Sequence, residues 1–279
     1  MKALLLCADD YGLSEPVNRG IEQLAAAGRL TDVSCISNGP AWRSAAQRID
    51  ARRTRLGLHL NLTEGQPLSP TLAALWPQLP PLPQLLVMAH TKRLPEEALW
   101  TEMVAQLAAF EHAAGRAPAH IDGHQHVHHL PQLRGLLLEL MRSRKGLRAR
   151  HTGHVQGPGF AVKRLLIEGT GGRALGRELE SRRVAQNSTL FGVYDFAVRD
   201  YRGLVQRWLA ALPAQGALLF CHPGEAAPDD AIAPARAREL AYFASDDFTA
   251  DLAVAGVSLA ASAREGPVAV DGKRQQKHR

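Results

Sequence analysis

The 279 residues are 46% apolar and 22% charged, and 33 basic side chains stand against 27 acidic ones for a formal charge of +6. That composition is globular and excludes collagen, coiled coil and bulk disorder; no apolar run approaches the roughly 20 residues of a membrane helix. The positive charge is spread between apolar residues and makes no basic stripe or named motif, so no nucleic-acid partner is expected, and 5% aromatics does not favour a base-stacking surface.

In chain order, residues 3–8 (ALLLCA) read as a buried strand. The opening Met-Lys-Ala-Leu-Leu-Leu-Cys is too short for a signal-peptide core and runs straight into Asp9 and Asp10, so it reads as the first strand of a cytoplasmic protein. Residues 14–27 read as a helix, with Ser14 as N-cap, Pro16 in the first turn and Gly28 closing it. Residues 31–37 are a second strand, 41–50 a short helix and 56–61 a third strand. The stretch 62–94 is rich in Pro and Leu and predicts an ordered cover or lid over something. Residues 95–114 predict a long helix, 118–122 a fourth strand, 131–145 a helix and 146–150 a fifth strand. Residues 155–195, with many glycines and scattered charges, give no clear pattern. A helix over 200–212, a buried strand over 216–221, a helix over 234–252 and a last strand over 256–260 complete the order. Cys7, Cys35 and Cys221 each sit in a short apolar stretch with no paired spacing, which reads as buried free thiols.

Alternating strands and helices predict an α/β fold with about seven parallel strands in one domain, as an open sheet or an imperfect barrel. In either, chemistry gathers at the C-terminal ends of the strands. The residues there are distinctive. The first strand ends in Asp9-Asp10-Tyr11-Gly12, the third carries His59 and Asn61, the fourth runs into the tract from His120 to His129, and the strand at 216–221 ends in His222.

Two adjacent carboxylates after a buried strand are costly unless something cationic neutralises them. They predict a divalent metal site in which one Asp is a ligand and the other is free for proton transfer; imidazole with carboxylate suits zinc and related ions, and carboxylate also accepts magnesium. Read as an extended segment, His124, His126 and His128 share a face. His151 and His154 stand as candidates to touch substrate or solvent. No Gly-x-Ser-x-Gly elbow is present, and Cys221 and His222, as strand neighbours, point apart and do not pair.

Ala8-Asp9-Asp10-Tyr11-Gly12, Gly57 through Leu68, His120 through His128 with Pro131, and Cys221-His222-Pro223-Gly224 together resemble, in order and spacing, the four motifs of the YdjC-like carbohydrate deacetylases. The resemblance implies a deformed (β/α) barrel, read here as one domain over residues 1–263; from Arg264 onward the polar, basic composition reads as a disordered tail over 264–279. The resemblance also implies a metal-dependent hydrolase that removes the N-acetyl group from an amino sugar, an oligosaccharide or a lipid-linked sugar. Some relatives serve hopanoid or other lipid-linked sugar pathways, so the sugar itself is left open. Matched residue by residue, Asp10, His59 and His124 are the metal ligands for one divalent ion, Mg2+ or Zn2+. By the same resemblance Asp9 matches the position of the base and His222 that of the acid; Tyr11 stands where Phe is usual.

The partner expected is an N-acetylated sugar, with no membrane span and a homodimer left open. The alternatives are a metal-dependent phosphoesterase on a similar barrel and a non-catalytic sugar- or metal-binding protein. An Asp9 that is spare beside the ligands argues against the latter. On this reading the excess positive charge lies outside the site.

Overall fold

The computed structural model describes residues 1–142, 144 and 146–260. The expected basic tail therefore lies outside the described residues.

The first strand, β1 (Lys2–Tyr11), is buried along nearly its whole length and forms the axis of the sheet. It pairs in parallel with β2 (Asp32–Cys35) toward its C-terminal end, with β8 (Val257–Leu259) at residues 2–4, and with β7 (Ala217–Cys221) on its other side. Outward from β2 come β3 (Arg55–Leu60), β4 (His120–Gly123) and β5 (Arg148–Ala149); β7 carries β6 (Leu190–Phe191) on its far edge. Every one of these pairings is parallel, as the alternation of strands and helices requires.

The seven strands ordered β5-β4-β3-β2-β1-β7-β6 curl into a half-barrel. Isolated bridges Ala149–Gln186 and Val155–Leu190 span part of the gap between its edges. The closure is irregular, which fits the expected deformed barrel.

Helices α1 (Glu15–Ala26), α2 (Trp42–Ala45) and α5 (Glu96–Ala114) follow β1, β2 and β3. α6 (Leu133–Arg142), α9 (Tyr201–Ala210), α10 (Ala233–Ala244) and α11 (Asp246–Val254) cover the later strands. They bury their apolar faces against the sheet in one large cluster, in which Trp42 stacks on Phe110 with ring centroids 5.2 Å apart. The helix expected over 234–252 is two, because Ser245 takes an extended backbone (φ −78°, ψ 163°) and breaks the α10–α11 run.

The cover expected over 62–94 holds two short helices, α3 (Pro70–Leu75) and α4 (Leu82–His90). It has a satellite core of its own, built from Leu72, Leu79 and Leu85 against Leu99, Val127 and Leu130. The region 155–195, which gave no pattern, contains α7 (Ala161–Ile167), a π-turn at Glu168–Gly172, α8 (Arg173–Ser181) and β6. α7 buries none of its residues, so the apolar periodicity that marks a helix in sequence has no core to answer to there. Among the described residues, no helix is long and apolar enough to cross a membrane.

Candidate active site

The C-terminal ends of the strands open into one cavity of about 870 Å³, whose lining includes Asp9, Asp10, His59, His124 and His222. These are the five residues expected from sequence, and the fold brings all of them together.

A local irregularity at the end of β1 makes this possible. Neighbours on a regular strand face opposite ways, yet Asp9 and Asp10 both line the cavity. The β1–β2 register shifts between Ala8 and Tyr11, and Asp10 adopts φ 74°, a left-handed conformation that Asp tolerates better than most residues. A bulge of this kind re-aims side chains. Gly12 follows at φ 98°, where a Cβ would stand 2.7 Å from the Ile36 carbonyl oxygen; the turn into α1 therefore takes glycine. Asn18 on α1 fixes it by accepting from the Gly12 N–H at 2.6 Å.

His59 points its Nδ1–H at Asp122 Oδ1, 2.6 Å away, and its Nε2 lies 3.6 Å from Asp10 Oδ1. His124 places Nδ1 2.9 Å from the same Asp10 oxygen. Donor atoms of Asp10, His59 and His124 lie within 4.8 Å of one another, and all three residues are buried. Ligands bonded at about 2.0–2.2 Å to one ion stand roughly 3–3.5 Å apart, so this set fits a single divalent cation. The Asp122–His59 contact is the carboxylate–imidazole pairing that orients a metal-binding histidine. Arg236 donates to the other Asp10 oxygen, Oδ2, at 2.9 Å, leaving Oδ1 for the cluster.

The charges agree with that reading. Burial works against ionising Asp10, but His124 and Arg236 outweigh it and hold the carboxyl well below the usual range. Burial likewise opposes charge on His124, yet Asp10 and Glu64 raise the imidazole to about 10. The cluster thus holds a proton where a dication would displace it.

Asp9 differs from the free base expected. Arg150, 2% exposed, grips it with Nη1 on Oδ2 and Nη2 on Oδ1, both at 2.6 Å. The same Nη2 lies 2.6 Å from Asp122 Oδ2 and 3.2 Å from Ser34 Oγ. Two other groupings with metal-ligand spacing, Asp9 with His59 and Asp122, and Cys7 with His120 and Asp122, have this guanidinium in their midst. Burial opposes charge on Asp122, and Arg150 with His59 nonetheless keeps its carboxyl well below the usual range.

His222 follows β7 with its ring edge-on to Phe196 and Phe220. Burial lowers its imidazole to about 4 despite the pull of Asp10 and Asp9, so the ring is neutral at pH 7. Its backbone N–H donates to Glu239 at 2.5 Å, and Nδ1 has no hydrogen-bond partner among the described residues.

The shared face expected for His124, His126 and His128 does not form. The segment His124–His129 is a 3-10 turn in which Gln125 (φ 52°) and His126 (φ 61°) are left-handed, so strand alternation ends at Gly123. His126 lines the cavity, while His128 is buried against the Arg150 carbonyl at 3.1 Å. His151 and His154 bond through backbone and ring to Asn187 and Ser188 and are not part of the cavity lining.

The residues missed from sequence are Arg150, Arg236, Asp122, Glu64 and Glu239. A faint signal existed for Arg150: it stands two residues after Arg148, just past β5, where extended backbone turns both side chains the same way. Asp122 lay inside the histidine tract but had no role there.

A family model described as YdjC-like protein matches residues 3–254. The human protein named carbohydrate deacetylase is 36% identical over 148 residues, 50% of this chain and 45% of that protein. The Escherichia fergusonii protein named chitooligosaccharide deacetylase is 34% identical over 140 residues, 47% of this chain and 52% of that protein. The chain thus spans about half the length of these curated relatives. Among solved structures, an Enterococcus faecalis protein described as a cellobiose-phosphate cleavage protein superposes with a TM-score of 0.73. It is 21% identical and covers 94% of this chain and 97% of its own, a likeness of fold.

Proposed function

The chain belongs to the YdjC-like protein family, and from that premise we propose that it is a metal-dependent hydrolase that releases acetate from an N-acetylated amino sugar. The observation that carries this reading is the convergence of Asp10, His59 and His124 donor atoms within 4.8 Å, with Asp9 on the same cavity wall. The names of the relatives support the deacetylase activity.

Asp10 Oδ1, His59 and His124 would hold the ion, which when bound supplies Lewis acidity at the amide carbonyl and makes water a better nucleophile. Two nitrogens among three ligands favour Zn2+ or a similar first-row ion over Mg2+.

The chain's own groups do the rest. Asp9 takes the proton from the attacking water. A carboxylate has about four lone-pair sites; Arg150 occupies one on each oxygen and fixes the plane, leaving the others for the base's work. Asp122 keeps His59 in the tautomer with Nε2 unprotonated. The departing amine needs a proton, and His222 is the candidate to deliver it. Being neutral at pH 7, the ring delivers only a proton taken up during the cycle, so it acts as a relay from Asp9 rather than as a standing acid. General acid or base help of this kind is typically worth about 10²–10⁴ in rate.

Beyond its polar floor the cavity has an apolar wall from α4 and α7, with Leu82, Leu86, Leu166 and Ile167. On α7 it continues outward onto exposed Val162 and Leu165. A free oligosaccharide leaves that wall wetted, whereas an apolar aglycone covers it and gains about 25 cal/mol per Å² buried. The lipid-linked form of the sugar is the better fit.

The test is acetate release from N-acetylated oligosaccharides and from alkyl-linked N-acetylglucosaminides, before and after chelation and after return of Zn2+ or Mg2+. Metal-dependent release, faster on the alkyl-linked substrate, is expected. Full activity in a metal-free sample sinks the mechanism, and equal rates on both substrates sink the aglycone assignment.

A further inference from the structure

His59 and His124 each turn one ring nitrogen toward Asp10 and the other toward a second carboxylate. For His59 that carboxylate is Asp122, fully buried, at 2.6 Å. For His124 it is Glu64, whose Oε1 stands 3.1 Å from Nε2 and whose side chain is 45% exposed. We propose that Glu64 is the positioning residue of His124: it accepts from the Nε2 proton and so keeps Nδ1 directed at Asp10. The inference rests on the metal-site reading above.

The loop that presents Glu64 is built for the purpose. Asn61 Oδ1 accepts from the backbone N–H of Thr63 at 3.2 Å and of Glu64 at 3.1 Å, and its Nδ2 donates to the Glu64 carbonyl at 2.8 Å. Gln106 in turn clamps the Asn61 backbone, accepting from its N–H at 3.0 Å and donating to its carbonyl at 2.7 Å. From the other side, Gln125 donates to Glu64 Oε1 at 3.2 Å. The left-handed turn at Gln125 and His126 thus sets His124 and Gln125 against one carboxylate.

Among the described residues no aligned hydrogen bond reaches His124 Nε2. Glu64 Oε1 stands within ion-pair distance of that nitrogen, 3.1 Å, and the proposed bond requires only that this half-exposed side chain bring an oxygen into line with the ring N–H. An imidazole whose outer nitrogen lacks an acceptor loses both its tautomer and its orientation, and removing such an outer partner typically costs about 10–100-fold in metal affinity. Unlike Asp122, Glu64 also lines the cavity, so this half of the metal's support stands in the space where a sugar would enter.

The test uses Zn2+ added to metal-free protein with a chromophoric chelator as competitor, on wild type, Glu64→Gln and Glu64→Ala. Glu64→Ala is expected to weaken Zn2+ binding about 10–100-fold. Glu64→Gln, which keeps an oxygen for the ring N–H, is expected to fall between the two. The melting temperature of the metal-free protein should fall by at most about 2–4 °C in either, the share of one half-exposed ion pair to His124, because Asn61 holds the loop without the Glu64 side chain. Binding by Glu64→Ala within twofold of wild type overturns the inference. Equal losses in both variants with a metal-free melting temperature lowered by more than that overturn it too, since they mark a collapsed loop. A wild-type protein that binds no Zn2+ overturns the metal-site reading, and the inference with it.

Discussion

Replacing Arg150 with Met tests the buried network directly. The guanidinium is 2% exposed and bonds two carboxylates, Asp9 (2% exposed) and Asp122 (fully buried). Methionine fills part of the space but leaves those carboxylates without their cation. Asp122 keeps the His59 N–H and the Ser34 hydroxyl, while Asp9 keeps, among the described residues, only a long contact from Cys7 Sγ at 3.6 Å. Breaking a buried pair by removing one partner typically costs about 3–5 kcal/mol, a large share of the roughly 5–15 kcal/mol available to a folded protein. For a chain of this size that is a fall of roughly 6–10 °C in Tm.

The pH dependence has a definite sign. In the wild type Asp122 is held low, so its contribution is present above the unfolded value of about 3.9 and is lost only as pH falls through the lower folded value. In Arg150→Met the largest lowering charge is gone while burial still raises the carboxyl, so its folded value moves up. The penalty is then full at neutral pH and shrinks as pH falls toward that raised folded value. Urea unfolding of the metal-free protein, followed by tryptophan fluorescence at pH 7.5 and 5.0, measures both. A loss under about 1 kcal/mol at pH 7.5, or a loss no smaller at pH 5.0, refutes the assignment of Arg150 as the counter-ion of this pair.

Two further outcomes are expected. Asp9→Asn should lower acetate release by about 10²–10⁴ while Zn2+ affinity, read by chelator competition, stays within a few-fold of wild type; a parallel loss of metal would make Asp9 a ligand. Burial raises the Glu239 carboxyl to about 7, against its bonds from the Tyr194 hydroxyl and the His222 N–H. A raised folded value means that its stabilising effect is present below about pH 4.3 and lost as pH rises through 7. Glu239→Gln should therefore flatten the stability profile between pH 5 and 7.5, and an unchanged slope in urea midpoints would count against the raised value.

The parts of the fold legible in the sequence are those where one physical signal dominates. Buried parallel strands such as ALLLC and ALLFC read as unbroken apolar runs, and their C-terminal ends carried the polar residues that now share one cavity. What escaped depends on backbone geometry or on distant partners. The order of the 62–94 segment is legible in its Leu content, but its two short helices pack on a satellite core that Leu99, Val127 and Leu130 supply from elsewhere in the chain. α7 carries apolar residues at helical spacing, Val162, Leu165 and Leu166, but they are exposed and form too short a run to stand out among the surrounding glycines. The histidine tract was legible as a site but not in its geometry, because the left-handed pair Gln125–His126 is set by tertiary contacts and replaces a two-residue period with a turn.

The arginines show the deeper limit. From sequence, the positive charge belonged outside the site, and the adjacent Asp9 and Asp10 called for a metal to neutralise them. In the structure each has its own guanidinium: Arg150 on Asp9, and Arg236 on Asp10. Two buried carboxylates side by side are therefore tolerable without a metal, and the pair by itself does not call for one. The stronger support is the way Asp10 is shared. Arg236 takes one oxygen, and two imidazoles from β3 and the turn after β4 converge on the other. A lone ion pair needs no such convergence, and a cation-binding centre does. A composition tally cannot separate these cases, since it counts arginines without saying which carboxylate each one faces.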